Sequence, residues 1–191
     1  MVKEQAAFMI LGVLVLSWRI FEHPIMKNEV VTMVEKTNAM RILDARRVPY
    51  EVITFSPDIH SAGGVAEVAG VPPAQVYKTL VVRRERGKPL LVMIAGDREL
   101  DLKRLARAVG EKKLKMATYH QAEEWTGLQV GGISPLALLN RGFEVYIDRP
   151  ATKLSHVYVS AGRRGLNLRV PVEALIAITK AKVVEVTGES G

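Results

Sequence analysis

The chain has 191 residues, 48% of them hydrophobic and 25% charged, the balance of an ordinary globular protein long enough for one domain with a sizeable core. It contains no cysteine, which excludes disulfides and thiolate metal sites and fits a reducing compartment. The net charge of +7 favours polyanionic partners, of which nucleic acid is the commonest, although a solvated basic surface gives the same number.

Residues 1–32 differ in kind from the rest of the chain. Lys3, Arg19 and Lys27 balance Glu4, Glu22 and Glu29, so the whole positive excess falls on the remainder. Ala6 to Trp18 is an apolar run, short for a spanning helix. It resembles the apolar region of a signal peptide, but no small-x-small cleavage pattern comes after it. Three readings fit: a weak membrane anchor, an uncleaved signal, or a start codon set too far upstream, with Met26 and Met33 as alternative starts. The last is preferred. Residues 33–191 are expected to form a single cytoplasmic domain without membrane attachment.

Thr37-Asn38 reads as a helix entry, with Met40, Leu43 and Arg47 at helical spacing and Pro49 as the stop. Tyr50 to Phe55 reads as a strand closed by Ser56-Pro57-Asp58. Gly64 to Gly70 predicts a short helix. Strands are predicted over Tyr77 to Arg84 and Leu90 to Ala95, joined by a turn at Arg86-Gly87-Lys88-Pro89. Asp101 to Val109 is the clearest helix, because Leu102, Leu105, Ala106 and Val109 fall at i, i+3, i+4, i+7 and Gly110 ends it. Its other face carries Lys103, Arg104 and Arg107, followed by Lys112, Lys113 and Lys115. A short helix is predicted over His120 to Trp125 and a helical segment over Leu136 to Leu139. Further strands are predicted at Phe143–Ile147, His156–Ser160, Leu166–Val170 and Lys182–Val186, with a helix opened by Pro171 and running to Ile178. About seven strands without strict βαβ alternation imply an α+β fold, with a mixed, strongly curved sheet and peripheral short helices.

Three segments could carry chemistry. Lys78 interrupts an apolar strand pattern in Val76-Tyr77-Lys78-Thr79-Leu80. It either reaches solvent over a covered stem or projects into a cleft as a point charge for phosphate or a carbonyl. Gly131-Gly132-Ile133-Ser134-Pro135 is either an ordinary turn or a loop whose N–H groups face a ligand as an oxyanion hole does. Ser160 ends a strand and enters Ala161-Gly162-Arg163-Arg164-Gly165. A nucleophile elbow would need Gly-x-Ser-x-Gly, which is absent. Arg163 and Arg164 are candidate phosphate contacts or simple hairpin charges. His23, His60, His120 and His156 show no metal-ligand spacing, so no metal is assigned. His156 and Ser160 are placed to share a strand face, without a third partner for a triad.

Taken together, Val76–Leu80, Leu100–Lys103, Gly110–Ala117, Thr126–Leu136 and Tyr158–Leu166 resemble the YbaK/EbsC-type aminoacyl-tRNA deacylases, best known as Cys-tRNA(Pro) deacylases. They are also similar to the editing domain inserted in bacterial prolyl-tRNA synthetases. The resemblance runs from about Asn38 to Ala181 and leaves residues 1–32 without a counterpart. It implies the YbaK/prolyl-tRNA synthetase-associated fold and a trans-editing enzyme that cleaves the aminoacyl ester of a mischarged tRNA, without a cofactor. Cys-tRNA(Pro) is the leading substrate. Ala-tRNA(Pro) and a tRNA-binding protein without catalysis are the alternatives.

The resemblance also implies roles for residues. Lys78 would hold the terminal adenosine or its phosphate, and Gly131 to Pro135 would contact the aminoacyl carbonyl. Ser160 and Gly162 would line the pocket. Lys78, Gly131 and Ser160 form the expected catalytic set, with Gly132, Ile133, Ser134, Pro135, Gly162, Phe55 and Asn167 binding substrate. Lys103, Arg104, Arg107, Lys112, Lys113, Arg163 and Arg164 are expected on the tRNA side. Expected partners are tRNA(Pro) and tRNA(Cys), and a transient complex with prolyl-tRNA synthetase. In Cys-specific relatives the substrate thiol is thought to attack its own carbonyl and leave as a thiolactone. Ala161 stands where several relatives have Gly, Asn167 where some have Asp, and Phe55 where some have Tyr.

Overall fold

The structure, a computed structural model, describes residues 34–188. The apolar run at Ala6–Trp18 and the division near residue 32 lie outside the described residues. Among the described residues, eight strands and five α-helices occur in the order α1 (Asn38–Ala45), β1 (Glu51–Thr54), α2 (Ala62–Ala69), β2 (Tyr77–Arg83), β3 (Leu90–Ala95), α3 (Leu102–Val109), β4 (Lys115–Met116), α4 (Tyr119–Thr126), β5 (Glu144–Asp148), β6 (His156–Arg163), β7 (Leu166–Pro171), α5 (Val172–Thr179) and β8 (Lys182–Val184). Short 3₁₀ turns at Pro73–Gln75, Leu136–Arg141 and Arg149–Lys153 complete the set.

The fold is mixed α+β, as the sequence implies, and its strands form two hydrogen-bonded sheets. One has the order β4-β2-β3-β5-β8, the other β1-β7-β6. In the larger sheet β2 runs antiparallel to β3, whereas β3, β5 and β8 run parallel. An isolated bridge from Val76 to Tyr158 joins the start of β2 to β6, and so joins the two sheets. The eighth strand is β4, absent from the sequence expectation. It has two residues, both exposed, so neither alternation nor an apolar run marks it.

Local chemistry sets the helix boundaries. Asp101 caps α3 by accepting from the backbone N–H of Lys103 and Arg104, and Gly110 ends it in the left-handed conformation. Thr118 and Gln121 form a reciprocal capping box at α4. The core is densest at β3, where all six residues are buried, the signature of a central strand covered on both faces. Leu105 and Ala106 of α3 pack with Val82, Leu90, Val92 and Ile94 on one face of the large sheet. Val65 and Ala66 of α2 pack with Val76 and Tyr158 over the seam between the sheets.

Glu144 ties the larger sheet together at its rim. It accepts from Arg84 Nη1 (2.7 Å), Lys182 Nζ (3.1 Å) and the Tyr146 hydroxyl (2.9 Å). The Arg84 guanidinium foremost, with Lys182 and Tyr146, pulls its carboxyl down to about 2.

Candidate active site

A cleft of about 270 Å³ lies at the seam where β2 leaves the large sheet and meets β6. Its walls come from four places: the loop and first turn of α2 (Ile59 to Ala62), the strand stretch Val76 to Leu80, the Val130-Gly131 turn with Ile133, and Ser160 with Asn167 of the small sheet. Phe55 and Val65 add apolar surface, and Tyr119 stands at the start of α4. None of the lining residues is acidic.

Lys78 is half-buried. Its ammonium donates to the carbonyl oxygen of Gly96 at 3.2 Å. A neutral carbonyl fixes the group without cancelling its charge, so the cleft keeps one placed cation. Tyr77 beside it is buried, and burial pushes its phenol up, leaving a neutral side chain at neutral pH.

The glycine loop is held by a network that links it to the β6–β7 hairpin. Glu123 of α4 accepts from the Val130 N–H at 2.9 Å, and Arg164 donates through Nε to the Val130 carbonyl at 2.6 Å. Arg164 Nη2 also lies 3.9 Å from Glu123. Gly131 sits at φ +90°, a conformation that strains residues with a Cβ, and a Cβ on Gly132 would lie 3.0–3.2 Å from the backbone of Arg163 and Arg164. The two glycines therefore allow the loop to turn and to press against the hairpin. The Gly132 N–H is spent on the Gln129 carbonyl at 2.8 Å. Gly131 and Ile133 are the loop residues that line the cleft.

Ser160 and Asn167 are paired across β6 and β7 and both face the cleft. A register shift between Ser160 and Arg163 marks a bulge there. The Ser160 hydroxyl accepts from the Gly162 N–H at 3.3 Å. His156 does not serve it: its Nδ1 lies 3.1 Å from Ser155 Oγ, and four residues of strand separate it from Ser160 by roughly 13 Å.

The structure thus gathers Lys78, Phe55, Gly131, Ile133, Ser160 and Asn167 in one cleft. Gly132, Ser134 and Pro135 are buried behind the loop, and the Ser134 hydroxyl is fully buried without a hydrogen-bond partner. Arg164, expected as a phosphate contact, is committed to Val130 and Glu123, while Arg163 is exposed. The other expected tRNA contacts divide. Lys103, Arg107, Lys112 and Lys113 border a shallow groove beside α3, and Arg104 turns to a separate basic cleft. His60, Ser61 and Tyr119 also line the active cleft, and sequence reasoning did not place them there. An aromatic residue beside the Thr118 cap, outside the apolar face of α4, is the one signal that marks Tyr119.

A cationic, acid-free cleft at the seam of two sheets defines a protein built to hold an electron-rich group. The chain belongs to the aminoacyl-tRNA editing domain family, whose model matches residues 56–178. It is 38% identical over 155 residues, 80% of this chain and 94% of the relative, to the protein named "Putative Cys-tRNA(Pro)/Cys-tRNA(Cys) deacylase EbsC" of Enterococcus faecalis. It is also 38% identical over 82 residues to the proline–tRNA ligase of Thermodesulfovibrio yellowstonii, covering 43% of this chain and 14% of that longer one. Among solved structures it matches "a putative trans-editing enzyme for prolyl tRNA synthetase" with a TM-score of 0.70 at 25% identity, covering 79% of this chain and 95% of that one.

Proposed function

We propose that this protein is a trans-editing deacylase that cleaves the aminoacyl ester of Cys-tRNA(Pro). The observation that carries the reading is the Lys78 ammonium, placed on the Gly96 carbonyl in a cleft with no acidic lining residue. The 3′ end of a charged tRNA brings a phosphodiester and an ester carbonyl close together. One fixed cation with half-apolar walls suits both, and a carboxylate there would repel the phosphate.

Lys78 holds the terminal phosphate or adenosine. Gly131 and Ile133 present the loop toward the aminoacyl carbonyl, and Ser160 and Asn167 form the polar wall opposite. Tyr119, 78% exposed, offers a flat face on which the terminal base can stack. The lining set supplies neither a carboxylate nor an elbow serine. The chemistry therefore rests on orientation and electrostatic stabilisation, with the substrate thiol as nucleophile. Its sulfur bonds to the carbonyl carbon and the ester C–O bond breaks. The thiol proton passes to the released ribose hydroxyl, and the amino acid leaves as a thiolactone that water opens.

The test is deacylation of Cys-tRNA(Pro) beside Ala-tRNA(Pro) by the purified full chain and its Lys78→Ala variant. Lysine-dependent loss of cysteine alone is the expected result. Loss of alanine alone would replace the thiol mechanism with attack by water. Clearance of neither by folded protein would leave tRNA binding without catalysis.

A further inference from the structure

A second, larger cleft of about 500 Å³ lies at the ends of β5 and β8, lined by Arg98, Arg104, Arg149, Lys153 and Glu185 among others. It continues into a neighbouring surface that shares Arg104, Arg149 and Glu185 and adds Arg107. Five cations thus face Glu185, with Asp101 3.7 Å from Arg104 and Glu185 3.6 Å from Arg149.

Two of the arginines, Arg98 and Arg104, are set in place by backbone carbonyls. Arg98 Nη1 donates to the Gly188 carbonyl at 3.1 Å, and Arg104 Nη1 donates to the Thr187 carbonyl at 3.1 Å. That segment is itself anchored. The buried Asp148 accepts from the Val186 N–H at 2.9 Å and from the Thr187 hydroxyl, and the Asp101 N–H donates to the Val186 carbonyl at 2.8 Å. Carbonyl partners hold a guanidinium in one geometry and leave its charge intact. At Arg98 and Arg104 an anion therefore meets cations whose ordering cost is already met by the fold.

The cleft is also placed relative to the active site. Gly96 receives Lys78, and Arg98 is two residues further on, at most about 7 Å along the backbone. We propose that this basic cleft binds the phosphodiester backbone of the substrate RNA upstream of the 3′ end held at Lys78. The inference rests on the editing reading for the position of that end. It assigns to Arg98, Arg149 and Lys153 a contact that the Lys103–Lys113 run suggests for other residues. Backbone contacts of this kind add affinity and position the duplex without reading its sequence.

The experiment measures binding of uncharged tRNA(Pro) to the full chain between about 50 and 200 mM salt, for wild type, Arg149→Ala/Lys153→Ala and Lys112→Ala/Lys113→Ala. Arg149 and Lys153 are exposed, so the first pair leaves the fold intact, checked by an unchanged Tm. The proposal expects that pair to weaken binding about tenfold and to lower the salt slope by about 1.5, two contacts at roughly 0.7–0.9 each. The second pair is expected to change both less. Cysteinyl-adenosine, which carries no upstream phosphodiester to engage the basic cleft, is expected to be cleaved equally by wild type and Arg149→Ala/Lys153→Ala. Unchanged affinity and slope would overturn the proposal. So would a loss carried by Lys112 and Lys113 instead, or an equal loss on cysteinyl-adenosine and full-length substrates. Absence of ester cleavage by wild type would refute the editing reading alone, because the binding comparison uses uncharged tRNA.

Discussion

The two clefts differ in how they use positive charge. At the seam of the sheets one lysine is fixed by one carbonyl, and apolar or neutral polar surface surrounds it. Beyond the Gly96-Asp97-Arg98 loop, several arginines and a lysine spread over a wider surface. A single placed cation discriminates position, because displacement by an ångström or two changes its interaction steeply in a partly dry site. A spread of solvated cations discriminates total charge and is screened by salt. The first arrangement suits the reacting end of a substrate and the second suits its body.

Substitutions can separate these roles. After loss of Lys78 itself, Gly132→Ala should have the largest effect on the seam cleft. The added Cβ would press on the Arg163–Arg164 backbone and shift the loop that faces the ester. A fall of about 10²-fold in kcat is expected, the order of a misplaced catalytic contact, measured under single turnover with equal loss on cysteinyl-adenosine and full-length substrates. Tyr119→Ala should raise KM roughly tenfold, since base stacking on an aromatic ring contributes about 1–3 kcal/mol, and Tyr119→Phe should restore it. An unchanged KM in Tyr119→Ala would remove the stacking role. Neither variant should alter the salt slope of tRNA binding, which belongs to the other cleft.

The smallest effect concerns neither cleft. Glu144 has a folded-state pKa of about 2 against an ordinary 4.5. The depressed value means that its ion pairs stabilise the fold fully above about pH 4.5 and lose that contribution as pH falls toward 2. Glu144 is 38% exposed, so solvent screening keeps the contribution at no more than about 1 kcal/mol. Denaturant unfolding of wild type and Glu144→Gln should differ at pH 6 and converge near pH 2. A constant difference across that range would contradict the assignment.

How much the sequence reveals depends on how local each cause is. Asp101 and Gly110 bracket α3 in the chain as they do in space, so its bounds are legible within a residue. Thr37 and Gly70 mark α1 and α2 in the same way. The five segments that resemble the editing family bring Lys78, Gly131 and Ser160 forward because glycine turns and a lysine inside an apolar strand are local anomalies. The division of the strands into two sheets depends on the Val76–Tyr158 bridge, a pairing across 82 positions that no periodicity encodes. Arg164 reads as a free cation in the sequence, and only folding shows it committed to Val130 and Glu123. The basic cleft is hidden for the opposite reason. Arg98 sits in a loop some fifty residues before the single turn that carries both Arg149 and Lys153, whereas the run from Lys103 to Lys113 stands out by its density.

The most direct measurement of the central claim is the single-turnover rate of Cys-tRNA(Pro) deacylation by the full chain and by Lys78→Ala, with Tm measured for both. The account predicts a rate lower by about 10²–10³-fold, the loss typical of removing one preorganised electrostatic contact, at an unchanged Tm. Equal rates in the two proteins would contradict it.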